Sequence, residues 1–158
     1  MLKGLSKRAF RGSGGRFGIV ASKYNEGYVD VLVKLASEEL AAAGAALIEV
    51  HRVPGAFEIP VVAASLAEGR DPALSAILCF GVIFQGETAH ARQIADAVSH
   101  GLVALQIKYR VPVINGVYLF DTEEQARVRC LDRKHNRGLE AARTALEMAR
   151  VMAGLRPH

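Results

Sequence analysis

Apolar residues along this chain fall into short unbroken runs separated by stretches with helical spacing. Phe17-Gly18-Ile19-Val20-Ala21-Ser22 is such a run and predicts a buried strand. Over residues 29–43 the spacing changes: Val29, Leu32, Val33, Ala36, Leu40 and Ala43 share one helical face, while Lys34, Glu38 and Glu39 stay polar. Gly44 is a natural stop for that helix. A second strand is expected over 46–53, broken by Pro54-Gly55, and a second helix over 59–68, with Pro60 tolerated in its first turn. The strongest strand signal spans 74–84, around Ala76-Ile77-Leu78-Cys79-Phe80-Gly81-Val82-Ile83. Gly86-Glu87-Thr88 is then a turn, opening a helix over about 89–109 whose stripe is Ile94, Ala97, Val98, Gly101, Leu102 and Leu105. Residues 111–119 form another apolar strand, and Asp121-Thr122 caps a short helix reaching Cys130. The last helix, 137–153, carries Leu139, Ala142, Ala145, Leu146 and Ala149 on its apolar stripe.

Four strands alternating with helices imply a parallel sheet covered by helices on both faces. Ligands of such folds bind at the carboxyl ends of the strands. Those ends are expected to carry Tyr24-Asn25, Gly55-Ala56-Phe57-Glu58, residues 84–90 and residues 115–119. Residues 1–15 show no clear period and are expected to form an N-terminal arm, ahead of a single domain over 16–158.

Composition narrows the partners. The chain has 158 residues, of which 51% are hydrophobic, enough for one globular core. Net charge is +4 and the pI is about 9.3, which suits an anionic ligand. The basic residues concentrate at the two ends, and no aromatic–basic interleaving or reading helix marks a nucleic-acid surface. No run approaches the ~20 apolar residues of a spanning helix, and the first ten residues lack the apolar core of a secretory signal. The expected compartment is therefore the cytoplasm, with no membrane partner. Two cysteines, Cys79 in an apolar run and Cys130 in a charged one, make no disulfide framework. The histidines share no ligand spacing, so no metal is expected, and no GxSxG or Ser/His/Asp pattern is present.

Several segments could carry chemistry. Gly12-Ser13-Gly14-Gly15 precedes the first strand, whereas a dinucleotide fingerprint must follow one, so it fits an arm better. Gly86-Glu87-Thr88-Ala89-His90 follows a strand and opens a helix, where free N–H groups and the helix dipole can hold a phosphate. Thr88 adds a hydroxyl, and His90 can transfer protons near neutral pH. An ordinary capped helix with a surface histidine accounts for the same residues. Arg129, Arg133, Lys134 and Arg137 could grip phosphate oxygens, or decorate a solvated face. Tyr24 could stack on a flat heterocycle or pack its own loop. Pro54-Gly55 sets a turn that aims the amides of the following residues into the cleft.

Four of these segments resemble one family, in order and with similar separations, over roughly residues 16–153. VPGAFEIP at 53–60 is similar, nearly letter for letter, to the signature of the lumazine synthases. The segment 81–90, GVIFQGETAH, resembles that family's GxxIxGxTxH. NRGLEAA at 136–142 is similar to its NKGxEAA stretch, and 22–26 to its strand end R-F/W-N-E. The resemblance implies a flavodoxin-like, three-layer α/β sandwich with a central four-stranded parallel sheet. It also implies a cofactor-independent condensation of 5-amino-6-(ribitylamino)uracil with 3,4-dihydroxy-2-butanone 4-phosphate.

The resemblance assigns roles as well. Tyr24 would stack on the pyrimidine. Asn25 and the segment Gly55, Ala56, Phe57 and Glu58 would hold the ring and ribityl chain, and Val82, Ile83 and Phe84 would bound the ring. Gly86, Glu87, Thr88 and Arg129 would bind the phosphate, and His90 would transfer protons. Arg137 and Glu140 would line the site. The expected assembly is at least a homopentamer with sites between neighbours, and riboflavin synthase is left open as a partner. The chain departs from the family pattern at Asn115, where a phenylalanine that covers the ring is usual, and over 130–135. It also has Gln85 where a basic residue is common, and Ala91-Arg92 in place of an aromatic–acid pair. These departures leave open a divergent member that binds lumazine or flavin, or forms a shell, with little turnover.

Overall fold

A computed structural model describes residues 14–156. Its four strands are β1 (Arg16–Ser22), β2 (Leu47–Val53), β3 (Ala76–Phe84) and β4 (Val113–Phe120). They form one parallel sheet in the order β2-β1-β3-β4. The helices are α1 (Glu26–Ala42), α2 (Ile59–Ala67), α3 (His90–Tyr109), α4 (Glu123–Ala126) and α5 (Arg137–Leu155).

Alternation along the strands sends successive side chains to opposite helix layers. Phe17, Ile19, Leu78, Phe80 and Val82 pack on one face against Leu32, Ala36 and Leu40 of α1 and Ala142 and Ala145 of α5. Val20, Ile77 and Cys79 pack on the other face against Ile59 and Ala63 of α2 and Val98 and Leu102 of α3. This is the expected flavodoxin-like three-layer sandwich. The unbroken apolar runs have their cause here, because strands buried on both faces cannot alternate with polar residues. Each fully buried side chain such as Phe80 or Leu78 contributes about 1.5–3 kcal/mol. α1 and α5 cross closely at Gly138, where an added Cβ would lie 2.4 Å from the carbonyl oxygen of Leu32.

Three boundary differences have a clear physical cause. α1 begins at Glu26, three residues before Val29, because Asn25 adopts a left-handed conformation (φ 58°) and turns the chain into the helix. β4 continues to Phe120, so residues 115–119 lie within the strand and not at its carboxyl end. Pairing of Phe84 with Phe120 sets that end, which the apolar run alone did not mark. The helix expected over 122–130 has its Thr122 cap, whose hydroxyl accepts from the Gln125 N–H at 3.2 Å, but it stops at Ala126. The chain then widens into a π turn over Arg127–Leu131, closed by Asp132 N–H donating to Arg127 O at 3.2 Å. That turn buries Cys130, whose carbonyl accepts from the Asn136 side chain at 2.6 Å. Of the arm expected over 1–15, residues 1–13 lie outside the described residues, as does the Gly12-Ser13 part of the glycine-rich segment. Gly15 is already tied to the domain by accepting from Ala46 N–H at 2.8 Å.

Candidate active site

The carboxyl ends of β1, β2 and β3 converge, as the switch in strand order between β1 and β3 requires. Beyond β1 the chain is held to the end of β2 by Lys23 N–H donating to Val53 O at 2.8 Å and Tyr24 N–H to Pro54 O at 3.1 Å. Asn25 then bridges to β3, its Nδ2 donating to Val82 O at 2.7 Å. Asn tolerates the left-handed backbone here better than a bulky residue would. The Val82 backbone, expected to bound the ring, thus already has its carbonyl engaged by Asn25.

Gly55 is the pivot of the site. A Cβ there would stand 3.0 Å from both the Tyr24 ring and Glu58 Oε2. Its absence lets the ring and the carboxylate approach one another. Gly55 N–H donates to Glu58 Oε2 at 3.0 Å, anchoring the carboxylate at the start of a 3-10 turn over Ala56–Glu58. Ala56 is buried beneath, whereas Phe57 is 63% and Tyr24 69% exposed. Two large aromatic rings held in solvent are poorly explained by packing within one chain.

The fourth edge of the cleft is the turn after β3. Gly86, Glu87 and Thr88 are exposed, and His90, also exposed, is the first residue of α3. The Thr88 hydroxyl accepts from His90 N–H at 3.4 Å. Tyr24, Asn25, Gly55, Glu58, Ile83, the 86–88 turn and His90 therefore gather at one end of the sheet.

Phe84, Asn115, Arg129, Arg137 and Glu140 are placed differently. The Phe84 ring turns to the α1 face, 5.7 Å from Tyr28 and 6.5 Å from Phe120 between centroids. Asn115 stands in mid-strand, paired in register with Cys79, and its Nδ2 donates to Ser99 Oγ of α3 at 3.1 Å. Arg129, Arg137 and Glu140 lie on the α1/α5 side of the sheet, opposite α2 and α3. Within the basic cluster, Arg127 makes two bonds to Glu124, Arg133 reaches Glu38 at 3.4 Å, and Arg137 pairs with Glu140. Among the described residues Arg129 makes no ion pair, and it is exposed. Burial raises the Tyr118 hydroxyl well above its ordinary range, against the opposing pull of the nearby Arg137 charge.

Three structural supports escaped the sequence. Arg52 ties the β1 end in place, donating to Ser22 O at 2.9 Å and to Asp30 Oδ1 at 2.6 Å. Asn136 caps α5 while holding the π turn. Gln85 bonds the turn that follows it. Position at a strand end was the available signal for Arg52 and Gln85, and Asn before a helical run for Asn136.

A parallel sheet with its strand order reversing between β1 and β3, and an exposed aromatic, a helix N-terminus and an exposed histidine at that end, is the architecture of an α/β protein that binds a small molecule at its switch point. Residues 14–153 match the model of the 6,7-dimethyl-8-ribityllumazine synthase family, and the chain belongs to that family. It is 42% identical to the 6,7-dimethyl-8-ribityllumazine synthase of Stenotrophomonas maltophilia over 142 residues, covering 89% of this chain and 90% of that one. It is 43% identical to the enzyme of the same name from Aquifex aeolicus, covering 89% and 92%. Against that of Xanthomonas oryzae it is 40% identical, covering 87% and 89%. No helix among the described residues is long and apolar enough to cross a membrane.

Proposed function

We propose that this chain condenses 5-amino-6-(ribitylamino)uracil with 3,4-dihydroxy-2-butanone 4-phosphate to 6,7-dimethyl-8-ribityllumazine, at the cleft between Tyr24, Glu58 and His90. The observation that carries this is the convergence of Tyr24, Gly55 and Glu58 with the exposed 86–88 turn and His90, in a member of this family.

Tyr24 offers its exposed face to the pyrimidine. Glu58, fixed by Gly55 N–H, accepts from ribityl hydroxyls. The backbones of Ala56, Phe57, Val82 and Ile83, with Asn25, bound the ring. Gly86, Glu87 and Thr88 contribute backbone N–H donors to the phosphate, and the Thr88 hydroxyl can join them. The substrate amine is the nucleophile: it attacks the ketone, water leaves to give a Schiff base, phosphate departs, and the ribitylamino nitrogen closes the ring with loss of a second water. The protein's share is to align the two substrates and move protons, a task for which the exposed imidazole of His90 suits the carbonyl addition and the departing phosphate.

The site draws on a neighbour. Arg129, Arg137 and Glu140 lie on the α1/α5 face and Asn115 in mid-strand, while Phe57, Val61, Val103 and Ile107 stand exposed on the α2/α3 side. A homopentamer in which Arg129 of one subunit reaches the phosphate turn of the next accounts for both. Two buried free thiols fit a reducing cytoplasm.

The experiment is incubation of the purified chain with both substrates while the absorbance and fluorescence of lumazine are followed. Product formation dependent on both substrates is expected. Tight pyrimidine binding without product would replace this proposal with a binding protein of the same fold.

A further inference from the structure

Gln85 links the end of β3 to the phosphate turn, and its own N–H donates to Phe120 O at 2.9 Å. Its side-chain Nε2 folds forward and donates twice, to Gly86 O at 3.0 Å and to Thr88 O at 2.9 Å. Its Oε1 is buried and has no partner among the described residues. A buried, unpaired oxygen carries a cost, so the side chain is held in this pose by the two bonds its nitrogen makes.

Those bonds have a geometric consequence. In a planar trans peptide, the carbonyl of one residue and the N–H of the next point in opposite directions. Drawing Gly86 O and Thr88 O onto Gln85 therefore turns the N–H groups of Glu87 and Ala89 away from it. Neither of these groups, nor Thr88 N–H, donates to an acceptor among the described residues. With Gly86 N–H, which likewise has no acceptor among the described residues, four consecutive free donors stand directly ahead of α3.

We propose that Gln85 is the positioning residue of the phosphate subsite: a neutral amide clamp that aims the Glu87 and Ala89 N–H groups at the substrate phosphate. It touches no substrate itself. An amide suits the task because one NH2 group supplies both bonds; a carboxylate would repel the same two carbonyls. Because the clamp is uncharged, the turn has no cation of its own and takes its positive charge from elsewhere. The inference rests on the proposed placing of the phosphate at this turn.

The test is steady-state kinetics of the assembled enzyme, with inorganic phosphate as a competing probe. Gln85→Ala is expected to raise both the KM for the butanone phosphate and the inhibition constant of inorganic phosphate by about tenfold, the size of one hydrogen bond to a charged group. The KM for the pyrimidine and kcat at saturation should stay within about twofold. Gln85→Arg, which can donate to the same two carbonyls, should restore most of the loss, whereas Gln85→Glu should be worse than alanine. Native mass establishes that each variant assembles; a variant that fails to assemble leaves the Arg and Glu pair to decide. Unchanged phosphate constants in Gln85→Ala, or a parallel fall in every parameter, would overturn the positioning role alone. Failure of inorganic phosphate to compete with the butanone phosphate in the unaltered enzyme would overturn the placing of the subsite, and this role with it.

Discussion

At the scale of single residues, ion pairing distinguishes the arginines around the π turn. Arg127, Arg133 and Arg137 each have a carboxylate partner, in Glu124, Glu38 and Glu140. Arg129 has none among the described residues and stands exposed on the π turn. A dianionic phosphate held only by N–H groups lacks a full countercharge, and an unengaged guanidinium supplies one bidentately. Arg129→Ala should therefore raise the KM for the butanone phosphate about 10–100-fold, with pyrimidine binding little changed. An unaltered KM in substrate titrations would exclude Arg129 from the subsite. His90 is exposed beside that turn and carries no structural load that the described contacts reveal beyond its backbone bond to Thr88. His90→Ala should lower kcat by about 10²-fold and leave ligand dissociation constants nearly unchanged. A full rate in the assembled variant would make it a helix-start residue only.

At the scale of elements, the junction between the π turn and α5 concentrates interactions on two small residues. Asn136 is buried; its Oδ1 accepts from Gly138 N–H at 2.8 Å and Leu139 N–H at 3.3 Å, and its Nδ2 donates to Cys130 O. Asn136→Ala removes a helix cap and orphans a buried carbonyl, a combined cost of about 2–4 kcal/mol. Asn136→Asp keeps the acceptor and should lose less. Gly138→Ala forces α1 and α5 apart, since the new methyl would overlap the Leu32 carbonyl; about 2–3 kcal/mol of destabilisation is expected. Denaturant midpoints of the variants measure both, and a Gly138→Ala midpoint equal to that of the unaltered protein would contradict the crossing geometry.

At the scale of the whole molecule, two consequences follow from what is buried and what is not. Burial pushes the Cys130 thiol up to about 12 and raises Cys79 as well. An unfolded thiol ionises near ~8.5. The folded state holds these protons where the unfolded state releases them, so their contribution is complete below the unfolded value and declines as pH rises toward the folded one. Thermal melts should thus lose stability progressively above about pH 8.5, and a flat profile to pH 11 (about two units further) would contradict the burial of both thiols. The uncovered α2/α3 surface gives the second consequence. Ile107 of α3 is 71% exposed there. The protein should sediment as at least a pentamer at micromolar concentration, and Ile107→Glu should shift it to smaller species, with loss of turnover if the site is shared between subunits as proposed. A monomeric unaltered protein would remove the shared-site proposal.

Local periodicity determined most of the architecture. Runs such as 76–83 can be buried on both faces only in a covered parallel sheet, and the stripe from Val29 to Leu40 can only be a helix lying on one. The exposed turn at 86–88 and the start of α3 at His90 were legible for the same reason, since a strand followed by a helix start is written in adjacent residues. Tertiary structure decided the features whose partners are distant in the chain. Asn25 enters a left-handed conformation and meets Val82, 57 residues away. β4 takes its register from β3, which places Asn115 beside Cys79 and removes it from the strand end. The turn around Arg127 widens so that Cys130 can sink into the core and meet Asn136. Periodicity reports which face of an element is buried; it does not report which carbonyl a side-chain amide will find, because that depends on how separate elements are finally set against one another.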